Sequence, residues 1–394
     1  MNDSFFKRGT QLTLRSEKKR LLAILGGAHS LNHSLFLIAP PLLTMIMSDL
    51  GVSNFVMGTV GAMASFIYGA GSLIGGPLGD KIGEAKTITL FLAFSGISTF
   101  LIFFASNIVI YASALVLISV WASLYHPTAN SLISKTFRKG TAEAMGLHGV
   151  GGTLGVMLTP TIAWFIGSYF GWQFAFMPFG ILCIVFALLF FKNMGESGNK
   201  EVSDIKILDL FKIPELWTIL IFNITIGLFM KGVEYFLPTY LGKVKGIEPM
   251  WASVVYTLVL ASGVPAQWFG GKTADLIGSK KVLIATSVGV VIGLFALQFL
   301  PISLLGVTLF TIFYGVSFYA HQPALNSLTG LLSPEKMRGT VYGLFFFTSF
   351  GIGSISQSIA GYCADSYGLE SAFYLLTVFA LAALVISLML PKKN

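Results

Sequence analysis

The stretch Gly76-Pro77-Leu78-Gly79-Asp80-Lys81-Ile82-Gly83 aligns with a second stretch 195 residues later, Gly271-Lys272-Thr273-Ala274-Asp275-Leu276-Ile277-Gly278. Two more matches follow in the same order along the chain. The first pairs His126-Pro127-Thr128-Ala129-Asn130-Ser131 with Gln322-Pro323-Ala324-Leu325-Asn326-Ser327, and the second pairs Gly171 and Phe176 with Gly368 and Phe373. Because the offset between the copies is nearly constant, we expect two halves with the same fold.

The composition around these repeats is that of a membrane protein. Of the 394 residues, 55% are hydrophobic and only 11% are charged, and the mean hydropathy is +0.80. Soluble domains contain about 25% charged residues, and disordered chains have low hydrophobicity. Two cysteines cannot form a disulfide framework. The net charge of +8 is scattered between long uncharged stretches, which favours a lipid surface over nucleic acid as the partner.

Apolar runs long enough to cross a bilayer occur twelve times. A transmembrane helix needs about 20 apolar residues, and a β-barrel would instead show alternation in segments of about ten residues. The predicted spans are 21–47, 54–79, 86–106, 108–134, 144–168, 172–192, 216–241, 250–272, 281–300, 303–331, 340–364 and 371–390. The sequence therefore predicts an all-α membrane protein of twelve transmembrane helices. Its two six-helix bundles should be related by a pseudo-two-fold axis along the membrane normal.

The basic residues predict the orientation of these spans. With the N-terminus in the cytoplasm, 22 of the 25 lysines and arginines fall in cytoplasmic segments, as the positive-inside rule requires. Both termini are therefore expected in the cytoplasm, and the protein is expected in the cell (plasma or inner) membrane. The predicted organisation is a cytoplasmic N-terminal segment (1–20), a first bundle (21–192), a cytoplasmic linker (193–215), a second bundle (216–390) and a cytoplasmic tail (391–394).

The repeated loop also indicates a family. Its pattern G-x-x-x-D-x-x-G, present between spans two and three and again between spans eight and nine, resembles the signature of the major facilitator superfamily. The resemblance covers the whole chain and implies a secondary transporter that alternates between inward- and outward-open states. It implies a conformational gating role for the residues Gly76, Asp80, Gly83, Gly271, Asp275 and Gly278. The first copy departs from the family by having Ala85 where a basic residue is usual.

Two further stretches narrow the resemblance. Span four contains Tyr125-His126-Pro127-Thr128-Ala129, and span five contains Gly146-Leu147-His148-Gly149-Val150-Gly151-Gly152. Within the superfamily, these residues are most similar to the fosmidomycin-resistance group and its neighbours that carry small organic anions.

Polar and ionisable side chains inside spans are the candidate site residues. Such groups are costly in a membrane and usually face a cavity. The resemblance implies that spans one, four, seven and ten line the central path. These spans contain His29, Asn32, His33, His126, Lys231, Glu234 and His321, which we expect to bind substrate or couple protons. For His126 and His321, a plain interhelical hydrogen bond is an equal alternative, and it is the favoured interpretation for His148. Lys231 and Glu234 could also only neutralise each other.

Metal and cofactor sites are not expected. His29 and His33 have a spacing that can present two ligands to a metal, but no carboxylate or cysteine accompanies them in span one. A metal site is therefore the minor alternative, and no cofactor is predicted.

The expected function is transport of a small organic anion or related polar solute, coupled to protons. Lys231 and protonated histidines would provide positive charge for an anion, while histidine and Glu234 could carry protons. The alternative is a multidrug exporter for hydrophobic compounds, with which 35 phenylalanines are compatible. The chain lacks the hydrolase and phosphate-loop motifs, so an enzyme is not expected. The predicted partners are a small-molecule substrate, protons and lipid, and the predicted state is a monomer.

Overall fold

The computed structural model describes residues 3–137, 141–193, 213–301, 303–333 and 338–392. The predicted linker 193–215 lies almost entirely outside the described residues, as do the ends of the two terminal segments and the side chain of Asp80.

The first half of the chain forms six helices. Helix α1 is Asp3–Leu37, continued by the 3₁₀ turn Pro40–Leu42 and by Leu43–Leu50; α2 is Asn54–Ile82; α3 is Glu84–Phe103; α4 is Ile108–Ala122 followed by Tyr125–Thr136; α5 is Thr141–Phe170; and α6 is the 3₁₀ turn Trp172–Phe176 followed by Met177–Asn193.

The second half repeats this arrangement. Helix α7 is Pro214–Lys243; α8 is Pro249–Ala261 followed by Gly263–Ile277; α9 is Ser279–Phe299; α10 is Leu304–Phe310, the π-helical turn Thr311–Val316 and Ser317–Leu332; α11 is Arg338–Phe346, the π-helical turn Phe347–Ile352 and Ile355–Tyr367; and α12 is Leu369–Met389. Within the described residues, eleven of these helical segments are long and apolar enough to cross a membrane, and α10 is not among the eleven. Every predicted span nevertheless coincides with a helix.

Prolines account for the internal breaks in two of these helices. Proline lacks the N–H that would bond to the carbonyl four residues earlier, and its ring clashes with that carbonyl. In α4 the helix is interrupted at Ser123, four residues before Pro127, and in α8 the first piece ends at Ala261, four residues before Pro265.

The repeated sequence has the same geometry in both halves. Gly83 and Gly278, which begin α3 and α9, have φ values of 97° and 92°. A side chain is strained at such φ, so both copies of the loop require glycine at this point. A Cβ on Gly76 would lie 3.7 Å from Pro127 Cβ, and one on Gly271 would lie 3.5 Å from Pro323 Cβ. The internal repeat therefore describes equivalent helix contacts.

The hydrogen bonds between the two halves lie near one face of the bundle. We call the face where α1 begins, and where the α2–α3 and α8–α9 loops lie, the N-terminal face, and the other the opposite face. Within the described residues, seven hydrogen bonds connect the halves, all in the part of the helices nearest the opposite face. They join Asn54 (twice) and Phe55 to Asp365, Thr59 to Ser358, Tyr235 to Met57, Ser354 to Ala62, and Thr161 to Thr257.

Close approach of backbones supports this contact. A Cβ on Gly58 of α2 would lie 2.2 Å from the carbonyl oxygen of Gln357 in α11, and a Cβ on Gly69 would lie 2.5 Å from the backbone nitrogen of Gly351. Small residues at such positions let membrane helices touch along their backbones. The opposite face is therefore closed by packed helices from both halves.

Candidate functional site

Two histidines of α1 are in direct contact. His29 and His33 are four residues apart and so lie on the same side of the helix, with their Nε2 atoms 3.1 Å apart. His29 Nδ1 is 2.8 Å from the carbonyl oxygen of His148 in α5. Because a carbonyl can only accept, this nitrogen carries the proton, and in the neutral ring the lone pair of His29 is then at Nε2, directed at His33.

A third histidine approaches the pair from α4. The ring centroid of His126 is 5.0 Å from that of His29 and 5.3 Å from that of His33. One nitrogen of each ring can be chosen so that the three ligand atoms lie within 4.8 Å of one another. His126 Nε2 is buried and has no hydrogen-bond partner within the described residues. We call His29, His33 and His126 the histidine cluster.

Helix α5 packs against the His29 side of the histidine cluster. The His148 ring stacks on His29 with a centroid distance of 4.1 Å, and His148 Nε2 is 2.8 Å from the hydroxyl of Tyr125. This is the interhelical hydrogen bond expected of His148 from the sequence. Tyr125 donates its own proton to the carbonyl of Leu25, at 2.6 Å. A Cβ on Gly152 would lie 2.5 Å from the His29 ring, so glycine is needed there for the ring to fit.

Asn32 faces a different set of partners. Its Nδ2 donates to the carbonyl of Ala122 in α4 at 2.9 Å, and its Oδ1 accepts from the hydroxyl of Tyr68 in α2 at 2.6 Å. The side chain is fully buried. Asn32 therefore ties α1 to its neighbours, and its amide is occupied by protein groups in this conformation.

The charged residues of the second half form an ion pair. Lys231 and Glu234 of α7 are separated by 2.7 Å between Nζ and Oε2, and their side chains are 8% and 28% exposed. The ammonium group of Lys231 also lies 4.0 Å from the ring centroid of Phe350 in α11, a cation–π distance. The lysine is thus the more enclosed partner, and its charge is balanced by a carboxylate and an aromatic face.

Phenylalanines of α11 connect the ion pair to the histidine cluster. Phe346 stacks on Phe350 with a centroid distance of 4.4 Å, and its ring is 5.2 Å from that of His126. Tyr68 of α2 packs against both phenylalanines, at 5.3 and 5.7 Å. The two groups of candidate residues therefore belong to one region between the halves.

Tyrosines from both halves lie around the ion pair. Four buried tyrosines of α2, α8 and α10 lie near Glu234, and they are Tyr68, Tyr256, Tyr314 and Tyr319. The Tyr256 hydroxyl is buried and, within the described residues, has no hydrogen-bond partner. This combination of aromatic walls and a few polar groups is typical of a binding site for a small solute.

The remaining predicted residues lie elsewhere. His321 of α10 is buried in the second half, where Nδ1 contacts the carbonyl of Phe318, and no contact with the histidine cluster occurs within the described residues. Of the gating residues, Asp275 is exposed at the N-terminal face, and the side chain of Asp80 is outside the described residues. Gating by these loops therefore stays a prediction.

Sequence reasoning missed the aromatic residues of this region. Phe346, Phe350 and Tyr68 lie in long apolar spans, where the sequence gives no signal that separates a ring facing the site from one facing lipid. The cluster's third histidine was identified as a candidate, but its proximity to His29 and His33 depends on the packing of α4 against α1.

Twelve membrane helices in two equivalent bundles, with an ion pair and a histidine cluster enclosed between them, define a membrane transport protein. The family model described as Major Facilitator Superfamily matches residues 22–358. The chain belongs to this superfamily, which confirms the predicted fold class and makes the protein a transporter rather than an enzyme.

Individual relatives agree with this assignment. The chain is 23% identical over 372 residues to the sialic acid transporter NanX of Escherichia coli (strain K12), with 89% of each chain covered. It is 22% identical over 380 residues to the D-galactonate transporter of Escherichia coli O6:H1 (strain CFT073), with 85% of this chain and 86% of that protein covered. The fold is similar to that of the nucleoside transporter NupG, with a TM-score of 0.80, 14% identity, and 94% of this chain and 100% of that chain covered.

Proposed function

We propose that the protein is a proton-coupled secondary transporter of small organic anions that works by alternating access. The observation that carries this proposal is the enclosed ion pair of Lys231 and Glu234 on α7, between the two halves. A buried ionisable pair in a membrane helix is typical of a substrate or proton pathway.

The pair supplies a physical mechanism for coupling. With both groups ionised, Glu234 neutralises Lys231, and a substrate carboxylate must compete with it. When Glu234 takes up a proton, Lys231 is left as a buried positive charge without its carboxylate, a state that costs about 3–5 kcal/mol when fully buried. An anionic substrate removes this cost by replacing the carboxylate. Proton and anion therefore bind together, and their joint movement carries no net charge.

Carboxylated, hydroxyl-rich compounds are the substrate class that we propose. Two of the similar proteins carry sialic acid and D-galactonate, which both combine a carboxylate with hydroxyl groups. Lys231 would bind the carboxylate, and the tyrosine hydroxyls around Glu234 would bind the remaining polar groups. The predicted nearness to the fosmidomycin-resistance group is compatible with an anionic substrate.

We further propose that the N-terminal face is cytoplasmic and that the protein works as a monomer in the cell membrane. The distribution of basic residues supports this orientation. The closed opposite face then faces outwards, and the conformation described here is one in which the outer gate is shut. The bundles 21–192 and 216–390 would be the units that move.

Uptake into proteoliposomes tests the proposal. Purified protein is reconstituted, and uptake of labelled D-galactonate and N-acetylneuraminate is measured with and without an inward proton gradient. We expect gradient-driven uptake of at least one compound by the wild type, and loss of uptake in Lys231→Gln. Glu234→Gln should retain exchange of substrate between the two sides but lose accumulation driven by the gradient. Lys243→Gln, at the exposed end of the same helix, is the matched control and should behave as wild type.

Other results would contradict the proposal. Uptake that survives in Lys231→Gln would remove the basis for anion recognition. Transport of hydrophobic cations or drugs that is insensitive to Lys231→Gln would favour the alternative of a multidrug exporter.

A further inference from the structure

We propose that the histidine cluster is a binding site for a divalent transition-metal ion of the zinc class. The cluster comprises His29 and His33 of α1 and His126 of α4. The proposal depends on the geometry of these three rings and is independent of the anion proposed as substrate.

The spacing of the nitrogens fits metal coordination. A zinc–nitrogen bond of about 2.0–2.1 Å and tetrahedral angles place two ligand nitrogens about 3.3 Å apart. His29 Nε2 and His33 Nε2 are already 3.1 Å apart. The ligand atoms of all three residues lie within 4.8 Å of one another, so about 1.5 Å of movement of the His126 ring completes the set.

The surroundings of His29 are those of a metal ligand. A ligating histidine almost always donates its second N–H to a carbonyl or carboxylate, which fixes the ring and leaves the other nitrogen free for the metal. His29 does this through Nδ1, which donates to the carbonyl of His148 at 2.8 Å. Gly152 of α5 leaves room for the ring, and the stacked His148 ring holds it in place.

The free nitrogen of His126 distinguishes this site from a simple hydrogen-bonded cluster. His126 Nε2 is buried and without a partner within the described residues, and a polar atom left in that state is destabilising. If the three histidines served only to hold helices together, this nitrogen would be expected to have a partner on a neighbouring helix. A metal ion between the rings would satisfy it.

Ligand chemistry indicates the kind of ion. Neutral imidazole suits zinc, copper, iron and nickel and does not suit magnesium or calcium, which prefer oxygen ligands. His33 would move its proton from Nε2 to Nδ1 on binding, since either nitrogen of a neutral ring can hold it. Three protein ligands leave the fourth position open, as in zinc sites that also bind water or a solute.

Cobalt spectroscopy of the purified protein tests the proposal. The protein is prepared without a histidine tag, treated with a chelator and titrated in detergent with Co²⁺, whose ligand-field bands report tetrahedral coordination. We expect saturation at one ion per protein and displacement by Zn²⁺. His33→Gln and His126→Gln should each weaken Co²⁺ binding by about 10-fold or more, while His321→Gln, a buried histidine outside the cluster, should bind as the wild type does.

The wild-type titration decides the question even where a variant is unstable. Absence of saturable tetrahedral Co²⁺ binding by the wild type would overturn the proposal, as would equal weakening in His321→Gln or unchanged binding in both cluster variants. Melting temperatures of all variants, measured without metal, show whether each one is folded. The titration contains no organic anion, so its outcome does not depend on the transport proposal.

Discussion

Asp365 holds the two halves together at the opposite face, and its removal should open that face more often. Its Oδ1 accepts from the backbone N–H of Asn54 at 3.0 Å and from Asn54 Nδ2 at 2.7 Å, and its Oδ2 accepts from the backbone N–H of Phe55 at 2.7 Å. Asp365 belongs to α11 in the second half, and Asn54 and Phe55 begin α2 in the first. The carboxylate thus caps a helix of the other half, where free N–H groups and the helix dipole favour an anion.

The size of the effect follows from this geometry. A side chain that caps a helix N-terminus contributes about 0.5–2 kcal/mol, and a charge near the helix dipole adds about 0.3–1 kcal/mol when exposed. Because Asp365 is exposed, we expect the two contributions together to stabilise the closed state by about 1–2 kcal/mol. This corresponds to a factor of about 5–30 in the equilibrium between the closed and open states. Asp365→Ala should raise the open population by that factor.

Alkylation of a buried cysteine measures this population. Ser354 of α11 is fully buried, and its hydroxyl donates to the carbonyl of Ala62 in the first half. In a background in which Cys183 and Cys363 are replaced by alanine, Ser354→Cys is treated with a maleimide in detergent. Alkylation requires separation of the halves, so Asp365→Ala should increase its rate by about 5–30-fold.

A matched carboxylate serves as the control for this experiment. Glu370 lies five residues from Asp365 on the same face and is also exposed, so Glu370→Ala should leave the rate unchanged. An unchanged rate in Asp365→Ala, or an equal increase in Glu370→Ala, would refute the reasoning that this cap stabilises the closed face.

Three further substitutions test the packing of the site. Gly152→Leu should displace the ring of His29 and lower the free energy of unfolding by about 1–3 kcal/mol, which would be measured as a lower melting temperature. Gly146→Ala is the control, because there is open space around Gly146, and it should leave the melting temperature unchanged. Glu234→Gln should melt at a lower temperature than wild type because Lys231 loses its counter-charge, and the double variant Lys231→Met, Glu234→Gln should recover part of the loss. Tyr125→Phe removes two buried hydrogen bonds and should cost about 1–3 kcal/mol in the same assay.

The helices were predictable from sequence because the bilayer fixes their length and composition. Each of the twelve predicted spans is helical, since a helix is the structure that satisfies its own backbone in lipid. The repeat was also predictable from sequence. Gly83 and Gly278 adopt a positive φ that strains any residue with a side chain, so glycine is required at this point in both copies. Breaks such as that at Ser123 follow from a visible proline, although the sequence alone did not show how far each helix would bend.

The site was predictable only as a set of residue types. A polar residue in a span indicates a cavity or a partner, and this reasoning identified His126 and Lys231. It could not show that His126 approaches α1, that Asn32 accepts a hydrogen bond from Tyr68, or that Lys231 contacts the ring of Phe350. Each of these contacts joins residues far apart in sequence. The minor alternative of a metal site had only two histidines within span one, and the site that we propose takes its third ligand from α4.

The two halves are equivalent in their framework and different in their chemistry. At the offset of 196 that pairs Pro127 with Pro323, His126 pairs with Gln322; at the offset of 195 that pairs Gly76 with Gly271, Lys231 pairs with Phe36. Gly76, Gly83 and Pro127 therefore have counterparts in the second half, whereas the ionisable residues His126 and Lys231 do not have ionisable counterparts. A solute between the halves would meet imidazoles on one side and an ammonium–carboxylate pair on the other, so its two ends would contact different chemical groups. An anion with a carboxylate at one end satisfies this asymmetry when that end lies at Lys231.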